Sequence, residues 1–509
     1  MPLKRILIAN RGEIALRVVR ACRDLGLTSI AVFSDADRTA KYVRLADEAY
    51  PIGGLTPAES YLRVDALLRV ARDAKADAVH PGYGFLSENA AFARAVTEAG
   101  FTFIGPTADT IDLLGHKSRA REVMEAAGVP IVPGSPILAN VDEALAAAER
   151  IGYPVMVKAV AGGGGRGIRV VHNAGDLSAA VPVAQSEAQQ AFGDGNVYLE
   201  KYLNPVRHVE AQIMADTHGN VVSLGERECS IQRRHQKLLE EAPSPAVDTT
   251  IRERIISAAT AAAKATNYVG AGTVEFVMDD AGNFYFLEVN TRIQVEHGVT
   301  ELVTGRDLVR DQLLVAMGEP LPYRQQDIEL RGWAMECRIV AEDPYAGFVP
   351  SLGTIDAVSE PSGSWVRVDS SVFEGMEVTP YYDSLLAKVL TWGATRQEAI
   401  DRMLRALDEY VIMGVQTNLP FHMELLRNPA FLAGAVNTDL AASIADNMHE
   451  ATAQREHIAA IAAALLAYTT SKQGVTAPAV GRSGEPTVSS WAAAYRPGGS
   501  TGGWRSGGR

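Results

Sequence analysis

The chain is predicted to be an α/β protein that opens with a doubly wound parallel sheet. Short apolar runs alternate with helical periodicity from Arg5 to Ile104, and each run ends at a Gly/Pro or polar turn. That order, strand then helix then strand, builds parallel sheets with crossover helices. Ile6–Ala9 reads as a buried strand, Asn10–Glu13 as a polar turn and Ile14–Leu25 as a helix of 3.6-residue period. Ser29–Phe33 is the next strand, followed by Ala78–His80 and Thr102–Ile104. Ligands bind at the carboxyl ends of such strands. The segment His80-Pro-Gly-Tyr-Gly-Phe-Leu-Ser-Glu-Asn89 occupies one of these ends.

Around Pro130 the pattern changes. Tyr153–Ala159 is a short strand, Ala161-Gly-Gly-Gly-Gly-Arg-Gly167 a glycine loop and Ile168–Val171 a second strand. Gly162, Gly164 and Gly167 match the dinucleotide fingerprint, but that fingerprint opens a helix, and here a strand follows. No Walker Lys-Ser/Thr pair follows the glycines of this loop. A glycine run between two strands instead predicts a hairpin cover whose N–H groups close over phosphates. Four consecutive glycines are entropically costly, which argues against a bare structural role. Lys158, on the strand before the loop, could place an ammonium on a phosphate.

Glu226–Glu241 is dense in charge, and a run of that kind is expected to be a solvated helix or loop. Cys229, within it, has no fitting base nearby in sequence and reads as a small buried residue.

Thr273–Met278, the turn Asp279-Asp-Ala-Gly-Asn283 and Phe284–Leu287 read as a β-hairpin. A four-residue loop from Asp280 to Asn283 pairs Asp279 with Phe284 and sets Glu275 opposite Glu288. From Leu287 to Glu296, Glu288, Asn290, Arg292, Gln294 and Glu296 fall on alternate positions. In an extended chain they share one face. An ordinary half-solvated strand has this alternation too, but its polar face would carry Lys, Ser or Thr filler. Facing carboxylates repel, and a divalent cation resolves the conflict. Carboxylate and amide oxygens are the hard ligands Mg²⁺ prefers, with water and substrate phosphates completing its shell. Glu275, Glu288 and Asn290 are therefore the candidate Mg-nucleotide site.

Glu336-Cys-Arg-Ile339 alternates again and sets Arg338 on one face, and Tyr381–Ser384 precedes the apolar run Leu385–Leu390. Ile458–Tyr468 could form one Ala/Leu helix, and Ser471–Arg509, rich in Gly, Ser, Pro and Thr, reads as an extended low-complexity tail. The 509-residue chain has length for several domains. Its net charge of −13 argues against a nucleic-acid binder. No apolar run reaches membrane-spanning length, and the start reads as a strand rather than a signal peptide. Three scattered cysteines fit a reducing cytoplasm better than a disulfide framework or zinc site.

In combination, several motifs make the chain similar to biotin carboxylase, the ATP-grasp component of biotin-dependent carboxylases, from about Leu3 to Asn447. They are Ala9-Asn-Arg-Gly-Glu-Ile-Ala15, the His80–Asn89 segment, Lys158 with the glycine loop, Gln232-Arg-Arg-His-Gln-Lys237 and Glu288-Val-Asn-Thr-Arg-Ile-Gln-Val-Glu-His297. The resemblance implies an N-terminal doubly wound pre-ATP-grasp domain (1–113), linker helices (114–130) and an ATP-grasp lid with the glycine loop (131–203). The ATP-grasp core and C-terminal biotin carboxylase domain follow (204–447), then a helix and flexible extension (448–509).

It also implies a two-step reaction. ATP, with Mg²⁺ or Mn²⁺, phosphorylates bicarbonate to carboxyphosphate, which carboxylates biotin on a carrier protein. By resemblance, Lys117, Lys158, Gly163, Gly164, Gly165, His208, Gln232 and His235 match nucleotide-binding positions, and Glu200 and Lys201 the adenine-binding stretch. Glu275, Glu288 and Asn290 match the metal site. Lys237, Arg292, Gln294 and Val295 match the bicarbonate site and Glu296 the base. Arg338 matches the group that stabilises the biotin enolate, and Tyr83 and Asp383 lie near the biotin ring.

The implied partners are a separate biotin carboxyl carrier protein, a carboxyltransferase and a second copy in a homodimer, in the cytoplasm, without nucleic acid or membrane. The acyl acceptor (acetyl-CoA, propionyl-CoA or pyruvate) belongs to the carboxyltransferase. Two departures stand out. His116 takes the place of an Asp before Lys117, and Gly298 replaces a Pro after His297, which is expected to loosen a loop next to Glu296. The alternatives are another ATP-grasp ligase, of the carbamoyl-phosphate type, and a non-catalytic scaffold protein. The scaffold would have lost its metal and base residues.

Overall fold

A computed structural model describes residues 3–160, 168–192, 194–234 and 236–449. The parallel sheet predicted for the N-terminus is present. Strands β1 (Arg5–Ile8), β2 (Thr28–Phe33), β3 (Glu48–Pro51), β4 (Ala78–His80) and β5 (Thr102–Phe103) stand in the order β3-β2-β1-β4-β5, all parallel. Ile6, Leu7 and Ile8 have no exposed surface because both faces of β1 are covered. That is why its apolar run is continuous rather than alternating. Helix α1 (Gly12–Asp24) lays Ala15, Leu16, Val18, Val19 and Cys22 against Ile6 and Ile8.

A second, antiparallel sheet of three strands has the order β7-β6-β8, from β6 (Val155–Ala159), β7 (Ile168–Val171) and β8 (Val197–Lys201). The strand–loop–strand reading around the glycine loop holds. Residues 161–167 themselves, Gly163, Gly164 and Gly165 among them, lie outside the described residues, as do His235 and everything after 449.

The largest sheet has eight strands. β9 (Arg207–Ala215), β10 (Val221–Arg233), β11 (Gln236–Ala242), β12 (Gly270–Met278), β13 (Phe284–Asn290) and β14 (Trp333–Val340) stand in the order β13-β12-β9-β10-β11-β14. The strands Leu385–Gly393 and Val366–Ser370 extend it beyond β14. One apolar core lies between β9, β12, β13 and the helix Thr249–Ala265. Another lies between β14, Leu385–Gly393 and the helices Arg396–Glu409 and Leu419–Arg427.

The charge-dense run Glu226–Glu241 corrects the expectation of a solvated segment. It forms most of β10 and β11 at the centre of this sheet, and Glu226, Arg227, Glu228, Glu240 and Glu241 are almost wholly buried. Each charge has a partner supplied by another element: Arg252 for Glu226, Glu210 for Arg227, Arg207 for Glu228, Arg338 for Glu240 and Arg396 for Glu241. A buried charge is tolerated when paired in this way.

The β12–β13 hairpin sets Glu275 directly opposite Glu288, as expected, but by a different route. The turn is one residue longer at the start, because Met278 rather than Asp279 pairs with Phe284. The irregularity between Glu275 and Phe276 leaves Leu287 as an extra residue on β13, and this bulge restores the register at the carboxylates. The extended reading of Leu287–Glu296 is corrected beyond Asn290. The Glu88 carboxylate accepts from Thr291 N (3.0 Å) and Arg292 Nε (2.9 Å), the strand ends, and a helix starts at His297. Among the described residues, no helix is long and apolar enough to cross a membrane.

Candidate active site

Lys237, on β11, is the hub. Its ammonium donates to Glu210 on β9 (2.6 Å), Glu275 on β12 (2.9 Å) and Glu296 just before the His297–Thr304 helix (2.7 Å). Burial alone would lower the Lys237 pKa, but the three carboxylates hold it well above the usual value. Burial would raise Glu275, yet Lys237 and His208 hold it well below the carboxylate range. Glu275 Oε1 also accepts from Asn290 (2.8 Å) and Gln294 (2.8 Å), and His208 Nε2 lies 3.0 Å from Oε2. Gln232 meets His208 Nδ1 at 2.9 Å.

Glu275 and Asn290 are thus in direct contact, with Glu288 across the strand pair. Burial, then the Glu275 charge, raises the Glu288 pKa. A cation among them would relieve that repulsion, and their oxygens suit a hard divalent ion. Among the described residues, ligand atoms of His208, Glu210 and Glu275 also fall within 4.8 Å of one another. Glu288, Asn290 and Lys117 line a cavity of about 200 Å³, with Lys117 Nζ 4.0 Å from Glu288. Lys117 opens the helix Lys117–Ala126 with its side chain in solvent, and His116 beside it lies 3.7 Å from Asp112.

Arg338, on β14, joins Glu296 to the rest of the site. It donates to Glu296 Oε2 (2.9 Å) and to Glu240 Oε1 (2.6 Å). Glu296 is fully buried, which would raise its pKa, but Lys237, Arg338 and Arg227 bring it well below the usual range. Arg292 reaches Glu88 (2.9 Å) and Asn290 Oδ1 (3.0 Å). Lys237, Val295, Arg338, Tyr83 and Asp383 line one cavity of about 430 Å³. Tyr83 donates to Glu13 of α1, and Asp383 caps Leu385 N (2.8 Å).

Lys158, Glu200 and Lys201 sit on the three-stranded sheet instead. Lys158 and Arg121 both hold Glu200, the latter at 3.0 Å. Lys201 donates to the carbonyls of Gly152 and Tyr153, both at 2.9 Å.

Several residues escaped sequence reasoning. Arg227 donates to Glu210 (2.6 Å), Gln212 (2.6 Å) and Gln294 (2.9 Å) with no exposed surface. Glu210 and Glu240 hold the two cations that bracket Glu296. Lys388, also fully buried, donates to Val295 O (2.7 Å) and lies 3.3 Å from Glu13. Their only trace in the chain is a charge inside an otherwise apolar or β-rich run, which does not reveal its partner.

Gly298 corrects another expectation. It does not loosen a loop, because it lies buried in the first turn of the His297–Thr304 helix. A Cβ there would come within 2.3 Å of Leu390 Cδ2, and Leu390 is itself fully buried. Gly298→Ala should therefore cost about 1–3 kcal/mol of stability, as overpacking does. Urea unfolding checks this, and an unchanged midpoint would mean that Leu390 yields freely.

Family models match three consecutive stretches. Residues 2–111 match the biotin carboxylase N-terminal domain, 116–324 the ATP-binding domain of carbamoyl-phosphate synthase L chain and 336–443 the biotin carboxylase C-terminal domain. Biotin carboxylase 1 of Bacillus subtilis is 55% identical over 438 residues, covering 86% of this chain and 97% of that protein. The biotin carboxylase of a Nostoc species is 53% identical over 439 residues, covering 86% of this chain and 98% of that protein. The solved biotin carboxylase domain dimer of the Hydrogenobacter thermophilus 2-oxoglutarate carboxylase, in complex with MgADP, ADP and bicarbonate, superposes with a TM-score of 0.79. It is 49% identical and covers 87% of this chain and 98% of its own. With all three domains matched, and more than half of the aligned residues shared with each of the two relatives, the chain belongs to the biotin carboxylase family.

Proposed function

We propose that the Lys237–Glu296–Arg338 cluster carries out the ATP-dependent carboxylation of biotin with bicarbonate, and that Glu296 is the base. The observation that supports this most is the position of Glu296. Its carboxylate is buried and held ionised between two cations, and both cations line the larger cavity. An ionised carboxylate can take the proton of bicarbonate. Lys237, Arg292, Gln294 and Val295 would hold that anion. The bicarbonate oxygen then attacks the γ-phosphorus of ATP, the bond to ADP breaks, and carboxyphosphate forms.

Phosphoryl transfer asks the protein mostly for alignment and charge neutralisation. Lys117, Lys158, His208, Gln232, His235 and Gly163–Gly165 are assigned to the nucleotide, with Glu200 and Lys201 at the adenine. Glu275, Glu288 and Asn290 would hold Mg²⁺ or Mn²⁺, which supplies charge on the transferred phosphoryl group. The C–O bond to phosphate then breaks, and inorganic phosphate leaves with the ureido N–H proton. The carboxyl group joins the ureido nitrogen of biotin, and Arg338 would steady the negative oxygen that develops on the ring. A fixed guanidinium suits that task. Tyr83 and Asp383, on the rim of the same cavity, would flank the ring.

The partners are those that membership of the family implies. The chain has no Met-Lys pair, so it lacks the biotin acceptor motif, and the carrier would be a separate polypeptide. A carboxyltransferase would take the carboxyl group onward, the enzyme would pair as a homodimer, and the setting would be the cytoplasm. The deciding experiment is bicarbonate-dependent ATP cleavage with and without free biotin. Stimulation by biotin is the expected result, and cleavage indifferent to both substrates would reject the reading. A streptavidin blot of the purified chain should be blank; a stoichiometric signal would place the carrier function here.

A further inference from the structure

Two buried carboxylates, Glu240 and Glu296, converge on the Arg338 guanidinium, and a third, Glu336, lies beside them. Glu240 and Glu336 face each other directly across β11 and β14, and neither has exposed surface. Arg338, two residues along β14, is on the same face as Glu336. It holds Glu240 Oε1 and Glu296 Oε2. The remaining oxygen of Glu240 and both oxygens of Glu336 are buried and meet no donor among the described residues. The start of the His297–Thr304 helix closes the space, because a Cβ on Gly298 would lie 3.2 Å from Glu336 Oε2.

Ionised carboxylates only accept hydrogen bonds, so two of them facing inside a sheet repel, and neither can satisfy the other. A proton on one makes it a donor to the other. Lys388 stands opposite Arg338 on the neighbouring strand and its charge acts on Glu336, but its ammonium is engaged by Val295 O and lies beside Glu13 and Asp369.

We propose that Glu240 and Glu336 hold one proton between them, with Glu336 the neutral member, and that this proton keeps the Arg338 charge available for the oxyanion of the carboxyl acceptor. The inference rests on the reading of Arg338 given above and deepens it. With the pair fully ionised, one guanidinium would face three negative charges. With the proton in place it faces two, and Lys237 shares one of those. Burial is the largest influence on both acids. It pushes Glu336 well above the carboxylate range and Glu240 up to about 7, against the pull of Arg338. The charged or titratable groups facing the pair are Arg338, Glu296, Lys237, Lys388 and Tyr83. Glu336 is a positioning residue in this scheme, since it acts through Arg338.

The sign of the pH dependence follows. Both acids are raised, so the shared proton is present at neutral pH and leaves as pH rises. Its loss over-neutralises Arg338, and biotin-dependent ATP cleavage falls on the alkaline side. Glu336→Gln fixes the neutral state. Its activity near pH 7 should stay within about twofold of the parent, the range expected when no positioned acid or base is lost, and the alkaline fall should disappear. Glu240→Gln removes the anchor of Arg338 and should raise the KM for biotin. An unchanged alkaline fall in Glu336→Gln, or loss of activity in folded Glu336→Gln protein, would overturn the proposal.

The infrared spectrum of the unmodified protein gives a second measurement. A protonated-carboxyl C=O band at neutral pH that moves in D₂O and is lost in Glu336→Gln is expected. Absence of that band in the parent protein would overturn the proposal even if the variant did not fold. A parent enzyme that shows the band but lacks biotin-stimulated cleavage would instead mean that the reading of Arg338 had failed.

Discussion

Glu296→Gln should lower bicarbonate-dependent turnover by roughly 10²-fold or more, the usual worth of a positioned base, and leave ATP affinity nearly unchanged. The substitution keeps shape and removes the charge. Lys237 retains Glu210 and Glu275, and Arg338 retains Glu240, so neither cation is stranded. Glu288→Gln should do the reverse of this at the nucleotide. Glu288 lines the smaller cavity with Lys117 and Asn290, and its loss would remove an oxygen from the set proposed to hold the metal. Its variant should therefore bind Mg-ATP more weakly. The two carboxylates sit in different elements, one in β13 and one past its end, joined by a turn that Glu88 pins. ATP affinity and turnover measured for each variant check the division. Equal loss of ATP affinity in both would refute it.

Arg227→Met should destabilise the fold by roughly 3–5 kcal/mol, the cost of stranding one partner of a buried ion pair. The guanidinium makes five hydrogen bonds, to Glu210, Gln212, Thr273, Gln294 and Thr300, and no part of it reaches solvent. Without it, Glu210 keeps Lys237 at 2.6 Å and the His208 ring at 3.7 Å, and the Gln294 amide loses the donor that orients it toward Glu275. Turnover should fall along with stability. Arg227→Lys should recover part of the stability, because an ammonium still pairs with Glu210 but cannot span the same fork of acceptors. Urea unfolding of the two variants tests this. A loss below about 1 kcal/mol in Arg227→Met, the level of an exposed pair, would mean that water or a neighbour replaces the guanidinium.

The chain itself determined whatever depends on local order. The parallel N-terminal sheet follows from apolar runs, polar turns and helical periodicity that lie next to one another from Arg5 to Ile104. The strand–glycine loop–strand order ruled out the dinucleotide fold because all of its signs sit in one short stretch, from Tyr153 to Val171. The facing of Glu275 and Glu288 was readable from a hairpin, the most local of long contacts. Even there the turn began one residue earlier than expected, and the Leu287 bulge compensated, since bulges leave no clear mark in composition.

Tertiary structure decided the rest. The Glu226–Glu241 run looked solvated because charge is counted along the chain, whereas burial depends on partners that arrive from far away: Glu210, Arg252, Arg338 and Arg396. The alternation from Glu288 to Glu296 stopped serving as a strand at Asn290, because Glu88, far earlier in the chain, captures the backbone there. Gly298, which suggests slack in isolation, marks a place where Leu390 leaves no room for a side chain. The physical reason is common to all three. Backbone preference and turn chemistry act over a few residues and are written locally. The free energy of a buried charge or a filled space is set by whichever atoms the finished fold brings beside it.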